Sequence, residues 1–546
     1  MTATSHNPAD SARLRDRRQT LSAIATRREP WDIVVVGGGI TGAGIAREAA
    51  RRGRAVLLVE QRDFAWGTSS RSSKMVHGGL RYLAQADFKL TRDALRERER
   101  LLHEAPQLVH RTGYWWPHRK GQFPGPIGLG LALELYDRLA GIRDHRFVRR
   151  DEYLRAVPGS NPRGLVGGTY FTDSTVDDAR LVLRVLDEAV ADGARTLNYA
   201  RVSELLRTAG QVTGVRVVDE VSGETLNVSA RVVINATGAW ADVLRSKVAG
   251  ERKVRPLRGS HLVLPRARLP LDEVIGFPHP EDKRPVFVYP WEGATIVGTT
   301  DLDHRASLNE EPRISKEELR YLLSAAQREF PDAELGREDI VATWAGVRPV
   351  VASGKGVDPS KERRDHVVWD DHGLISVTGG KLTTFRLIAL DALQRAARHV
   401  PGLDARDTRE PTFRRAPITG PTALSRHVRE RLEGRYGPLL PRFLSEMPAD
   451  ELVPIGDTET LVADLRWAAR HEAVVRLEDL LLRRTRLGLL LPDGASAHAT
   501  PIKRAVQSEL GLDDDAYGHA WDTYLTLVRD RYGLPGEARE AREAVG

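Results

Sequence analysis

Asp32-Ile-Val-Val-Val-Gly-Gly-Gly-Ile-Thr-Gly-Ala-Gly44 runs from a β-branched strand into a glycine cluster and on into an Ala-rich helix over residues 40–52. Residues 55–60 follow as a second short apolar strand. Strand, helix and strand in this order imply a parallel pair with a right-handed crossover. Gly37, Gly39 and Gly42 stand at the junction as G-x-G-x-x-G. The first permits the tight turn, the second lets backbone approach a pyrophosphate, and the third lets helix and strand pack closely. The helix N-terminus adds free N–H groups and a partial positive charge for the phosphates. Glu60 ends the second strand and suits the ribose hydroxyls, which disfavours a 2′-phosphate. A glycine-rich turn without a ligand is the alternative, and the acid in register with both strands favours a dinucleotide. The motif alone does not choose between NAD and FAD.

Around this unit lies a chain of 546 residues with 82 Lys plus Arg, 75 Asp plus Glu and no cysteine. Its length allows roughly three to four domains or one large discontinuous unit. The absence of cysteine excludes disulfides, thiolate zinc sites, iron–sulfur clusters, a thiol nucleophile and a cysteinyl flavin link. A net charge of +7 leans toward an anionic partner: a phosphorylated metabolite, nucleic acid or an acidic lipid surface. No run reaches the about 18 consecutive apolar residues of a spanning helix. Residues 1–29 are polar, lack the apolar core of a secretory signal, and are read as a flexible cytoplasmic tail with a short helix over 13–26.

Beyond residue 60, a charged helix is expected over 87–104, a helix with Leu181, Leu183, Val185, Leu186 and Val190 available for a buried face over 177–193, and a surface loop with a short amphipathic helix over 121–141. Residues 213–218 and 225–228 read as strands flanking a Ser222-Gly223 turn, and 232–236 as a further buried strand. Strands at 261–264, 286–289 and 295–297 suggest a separate antiparallel sheet. A buried strand at 374–377 and a long helix over 382–399 return to the first type. Residues 401–421, rich in Pro, Thr and Arg, read as a linker to a helical region over 422–546. Its Arg-heavy stretches at 462–470 and 477–486 are read as a solvated support that helps dimerisation.

Two segments favour FAD over NAD. Thr68, Ser69 and Ser70, then Ser72, Ser73 and Lys74, form a dense hydroxyl cluster suited to a long extended cofactor. Asn235-Ala-Thr237-Gly238 ends a strand where a second close backbone approach would adjoin the first glycine turn. The plainer alternative is that the serines cap a helix and Thr237-Gly238 only turns the chain.

The ordered blocks together resemble the FAD-dependent, quinone-linked glycerol-3-phosphate dehydrogenases. They are the glycine block 36–44, Thr68-Ser-Ser-Arg-Ser-Ser-Lys74, His77-Gly-Gly-Leu-Arg-Tyr82, residues 172–181, Asn235–Gly238, Gly259-Ser-His261, Val297-Gly-Thr-Thr-Asp301, Gly346-Val-Arg-Pro349 and Gly379-Gly-Lys-Leu-Thr-Thr384. Residues 480–488 extend the likeness into the helical tail. The resemblance implies an α/β, Rossmann-like parallel-sheet FAD domain over 30–400. An antiparallel-sheet substrate domain would be interleaved at about 111–170 and 256–340, with an all-α C-terminal domain. It implies oxidation of glycerol 3-phosphate to dihydroxyacetone phosphate, with electrons passing to a membrane quinone.

It also points to Arg81, Arg348 and Lys381 as a phosphate-binding cluster, with Tyr82 a further contact. Arginine suits a phosphate by bidentate geometry. Structural ion pairs are the competing role for Arg348 and Lys381, and plain packing for Tyr82. His261 is the candidate base near the alcohol, a structural or flavin-supporting role being the alternative. Gly380, Lys381, Leu382 and Thr383 open a helix whose N-terminus would favour negative charge on the cofactor. His77 is a cofactor neighbour without an assigned role. Asp173, Asp177 and Asp178 are read as caps of the helix that follows.

No metal site is expected, because the histidines show no ligand spacing, and no Walker lysine or nucleophile elbow is present. The rivals are a glycerol-3-phosphate oxidase that uses oxygen, an FAD-dependent amino-acid or amine oxidase of the same fold, and a flavin scaffold carrying a nucleic-acid-binding helical module. Intervening acids and the lack of interleaved aromatics argue against nucleic acid. A quinone acceptor requires contact with the bilayer, at the inner face of the cell membrane. Ile127, Leu129, Leu131, Leu133 and Leu135, near Arg138, Arg143 and Arg146, form the candidate contact with anionic lipid. The same residues suit a core cover or a homodimer interface.

Overall fold

This computed structural model describes residues 17–80, 83, 87–249, 251–352, 365–415 and 424–536. Trp31–Val36 lies at the centre of the first sheet, parallel to Val56–Val59 on one side and to Thr225–Asn235 on the other. Arg195–Leu197 and Leu374–Gly379 extend the parallel set, and His366–Asp371 closes one edge antiparallel. Alternate residues of a strand face opposite sides. Ile33 and Val35 accordingly pack with helices Ile40–Ala50, Asp178–Ala191 and Phe385–Ala396. Val34 and Val36 pack with the hairpin Ala200–Thr208 and Gln211–Asp219. Burial on both faces is why these strands read as unbroken apolar runs.

The strands expected at 225–228 and 232–236 are one strand, Thr225–Asn235. Its first half alternates in burial because it pairs only with the exposed hairpin; its second half enters the covered parallel sheet. Of the helix expected over 13–26, Arg17–Thr26 is present, and residues 13–16 lie outside the described residues. It packs on the sheet through buried Thr20 and Ile24, while Arg17 donates to the Asn198 carbonyl at 2.7 Å.

The second sheet runs Leu302–Asp303, Val254–Pro265, Ala294–Gly298, Pro285–Trp291, Val274–Pro278, Val109–Arg119, Leu165–Val176 and Arg146–Arg149, with Ala342–Val351 also on Val254–Pro265. It is antiparallel except where Val274–Pro278 meets Val109–Arg119. The expected strands at 261–264, 286–289 and 295–297 lie within it. The long pair Val109–Arg119 and Leu165–Val176 escapes a period-2 reading, because Pro117 and the Gly167-Gly168 step interrupt its alternation.

Over residues 424–536 the chain is mainly helical, including Arg426–Tyr436, Val462–His471, Ala499–Val506 and Asp514–Leu527. Its arginines correct the expectation of a solvated face: Arg483, Arg484 and Arg486 are at most 1% exposed. They follow the short helix Leu477–Asp479, which continues into a π-helical turn over Leu480–Arg484. Each meets a buried carboxylate. Arg484 grips both oxygens of Asp63 at 2.6 and 2.7 Å. Arg483 bonds Asp63 and Asp479, and Arg486 bonds Asp177 and Asp178. Burial opposes ionisation of Asp63, yet Arg484 and Arg483 hold its carboxyl below the usual range. Asp177 does cap the helix that follows, as expected, but its charge is spent on Arg486.

Removing one partner of such a network leaves buried charge uncompensated. Asp63→Ala should cost about 3–5 kcal/mol in urea unfolding followed by tryptophan fluorescence at neutral pH. Because the folded pKa is depressed, the contribution of Asp63 is present above the usual carboxylate range and is lost as pH falls through it. A loss under about 1 kcal/mol would place the network among weak surface pairs.

Candidate active site

The turn leaving Trp31–Val36 sets the site. Gly37 has φ +114°, and a Cβ on Gly42 would stand 1.9 Å from the Gly37 carbonyl oxygen. Helix Ile40–Ala50 can begin this close to the strand only with glycine there. Gly39 gives the helix no side-chain cap and lines a cleft; the Ile40 amide donates to Ser69 Oγ at 3.0 Å. Glu60 also lines the cleft, and its two oxygens accept from the Gly38 and Arg62 amides at 2.7 and 2.9 Å. Burial raises its pKa against those bonds.

Thr68 and Ser69 form a second wall of the cleft and Thr237, Gly238 and Trp240 a third. Thr237 is fixed by Asn235, whose Oδ1 accepts from the Thr237 hydroxyl at 2.7 Å. Gly380, Lys381 and Leu382 close it from the turn before helix Phe385–Ala396. That helix begins a few residues later than expected.

Ser70, Ser73, Lys74 and Thr383 are not among the residues lining this cleft. The Ser70 carbonyl and Asp178 receive the Lys74 ammonium at 2.6 and 2.8 Å. Burial pushes that ammonium down to about 8 against the pull of Asp178. Thr383 donates to the His77 carbonyl at 3.3 Å. Ser73 bonds His261, with Oγ and Nε2 2.9 Å apart.

His261 sits on Val254–Pro265, 1% exposed, its ring stacked on Trp344 at 4.7 Å. Two residues earlier on the same face, a Cβ at Gly259 would stand 2.7 Å from Nη2 of Arg348. Arg348 donates to Asp301 at 3.1 Å and to the Thr299 hydroxyl at 3.3 Å. Burial, then Arg348 and Lys74, push the His261 pKa well below its ordinary value, so its ring is neutral at neutral pH.

The sequence-expected residues therefore fall into two groups, a cleft beside the glycine turn that includes Lys381 and a polar cluster around His261 and Arg348. Pro349 lines the cleft next to Arg348. Arg81 and Tyr82 lie outside the described residues. Sequence reasoning missed the supporting parts: Asp301 and Thr299 behind Arg348, Trp344 under His261, and Asp178 behind Lys74. Asp301 and Thr299 fall within the Val297–Asp301 motif, but nothing local marks them as partners of Arg348.

Comparison with known proteins gives a consistent placement. Residues 32–386 match the family of FAD-dependent oxidoreductases, and residues 393–517 match the C-terminal domain of alpha-glycerophosphate oxidase. The aerobic glycerol-3-phosphate dehydrogenase of Staphylococcus haemolyticus is 33% identical over 489 residues, 84% of this chain and 87% of that protein. Its counterpart in Staphylococcus epidermidis is 38% identical over 383 residues, 68% of each. The glycerol-3-phosphate dehydrogenase of Bacillus halodurans, solved in complex with FAD, superposes with a TM-score of 0.73 at 26% identity, covering 95% of this chain and 98% of its own. Glycine oxidase from Geobacillus kaustophilus, at 22% identity and a TM-score of 0.51, shares the fold alone. The chain thus belongs to the FAD-dependent oxidoreductase family, alongside the aerobic glycerol-3-phosphate dehydrogenases.

Proposed function

We propose that this protein oxidises sn-glycerol 3-phosphate to dihydroxyacetone phosphate and passes the electrons to a membrane quinone. The residues of the cleft fit FAD: glycines without Cβ at the turn, a helix start without a side-chain cap, and an acid at the strand end. Gly37, Gly39, Glu60, Thr68, Ser69, Thr237, Gly238, Gly380 and Leu382 would hold it, with Gly42 packing the turn behind them. Bound FAD supplies the two-electron acceptor.

The observation that carries the substrate reading is a buried histidine beside an arginine near the cleft, with Lys381 in the cleft wall. Arg348 and Lys381 match the charge of a phosphate monoester. His261, kept unprotonated by its surroundings, takes the hydroxyl proton as the carbinol is oxidised. Asp301 and Thr299 orient the Arg348 guanidinium for bidentate contact. An amino-acid substrate would call for carboxylate recognition, for which a single arginine suffices.

Contact with the membrane is assigned to helix Pro126–Ala140. Leu129, Leu133 and Tyr136 are buried beneath it, while Phe123, Ile127 and Leu131 are at least 70% exposed and Leu135 continues the outer row. Arg138 and Arg143 stand nearby for anionic headgroups. Among the described residues no helix is long and apolar enough to cross a membrane.

Gly39→Leu should fold normally, as judged by circular dichroism, yet purify nearly free of flavin; full flavin occupancy would remove the cleft from the cofactor site. Arg348→Ala should keep its flavin and need about ten- to hundred-fold more glycerol 3-phosphate for half-maximal flavin reduction, the loss of a charged hydrogen bond. An unchanged concentration dependence would take Arg348 out of the substrate site. Ile127→Asp with Leu131→Asp should weaken sedimentation with anionic vesicles at least about ten-fold while leaving flavin reduction by glycerol 3-phosphate intact. Undiminished sedimentation would move the contact elsewhere.

A further inference from the structure

One buried carboxylate joins parts of the chain that the chemistry above leaves unconnected. Asp178, fully buried at the first turn of Asp178–Ala191, accepts from the Ser72 amide at 2.9 Å and the Ser72 hydroxyl at 2.7 Å. It also accepts from the Lys74 ammonium at 2.8 Å and pairs with Arg486. Ser72 Oγ in turn accepts from the Lys74 amide at 3.0 Å. These bonds close Ser72, Ser73 and Lys74 into a tight loop, with Lys74 at φ +57° in the left-handed region.

The exit of the loop is clamped as well, because the Val176 amide donates to the Lys74 carbonyl and the Val76 amide to the Ser174 carbonyl, each at 2.9 Å. Ser73, held between these anchors, puts its hydroxyl on His261 Nε2. Trp344, stacked on the histidine ring, also has the Lys74 ammonium 4.9 Å from its ring centre. His261 Nδ1 is buried and makes no hydrogen bond among the described residues. A neutral imidazole carries one N–H, and the bond made by one nitrogen decides which nitrogen keeps the lone pair.

We propose that Asp178, held by Arg486 of the C-terminal helical region, is a positioning residue for His261. It fixes the Ser72–Lys74 loop so that the Ser73 hydroxyl accepts a hydrogen bond from Nε2–H, leaving Nδ1 with the lone pair that takes the substrate hydroxyl proton. Arg486, contributed from 308 positions further along the chain, is thereby part of what orients the histidine. The inference rests on reading His261 as the proton acceptor.

The experiment is anaerobic stopped-flow reduction of the holoenzyme flavin by sn-glycerol 3-phosphate, which separates limiting rate from substrate affinity. Ser73→Ala should lower the limiting rate about ten- to hundred-fold with near-normal affinity and flavin content, the cost of a misaligned reacting group. Ser73→Thr, which keeps the hydroxyl, should recover most of that rate. Asp178→Asn should lower the same parameter, and the double variant with Ser73→Ala should be no slower than Ser73→Ala alone. If Asp178→Asn does not yield folded holoenzyme, Arg486→Lys takes its place with the same expectation. Losses that multiply in the double variant, or an unchanged limiting rate in Asp178→Asn or Arg486→Lys, would overturn the positioning role. His261→Gln separates the underlying reading: a normal limiting rate there refutes His261 as acceptor, whereas a slow His261→Gln beside a normal Ser73→Ala refutes only the loop.

Discussion

The structure depends on buried carboxylates of the first sheet's surroundings meeting guanidinium groups from the C-terminal helical region. Asp63, Asp177 and Asp178 are each nearly or fully buried, and each is neutralised by Arg483, Arg484 or Arg486. Arg180 and Glu472 add a bidentate pair at 2.6 and 2.9 Å. A buried ion pair is weak evidence of net stability, because desolvation offsets much of the attraction. Its value here is specificity, since neither partner can be buried without the other. The helical region is therefore bound in one register against the glycine-turn half of the molecule.

That register reaches the site through adjacent residues. The stretch from Trp66 to Val76 carries Thr68 and Ser69 into the cleft wall, Ser73 to His261 and Lys74 to Asp178. Burial, with Arg348 and Lys74 bearing on the ring, holds the His261 pKa well below its ordinary value and keeps the ring neutral. Arg348 is steadied by Asp301, so that its charge is oriented as well as balanced.

The parts legible in the sequence were those whose cause is local. Gly37, Gly42 and Glu60 sit within one strand–helix–strand unit, and turn geometry, close packing and capping all act within it. The two-sided burial of Ile33–Val36 likewise shows as an unbroken apolar run. Arg483, Arg484 and Arg486 read as a solvated face because, apart from Asp479 four positions before Arg483, their partners lie 308 to 421 positions away, and composition cannot tell an arginine facing water from one facing a distant aspartate. Asp178 is only partly legible for the same reason: an acid at a helix N-terminus looks like a cap, and its second task depends on Lys74 and Arg486. The strand pair Val109–Arg119 and Leu165–Val176 was hidden by glycine and proline, whose tolerance comes from the neighbouring strands.

All of this converges on a flavin site built to take electrons from a phosphorylated secondary alcohol. The most direct measurement is an anaerobic titration of the purified holoprotein, following the visible flavin absorbance as substrate is added. Glycerol 3-phosphate should bleach the flavin completely at stoichiometric amounts, while glycine and other amino acids leave it oxidised. Bleaching by amino acids, or a flavin that glycerol 3-phosphate leaves unchanged, would contradict the assignment.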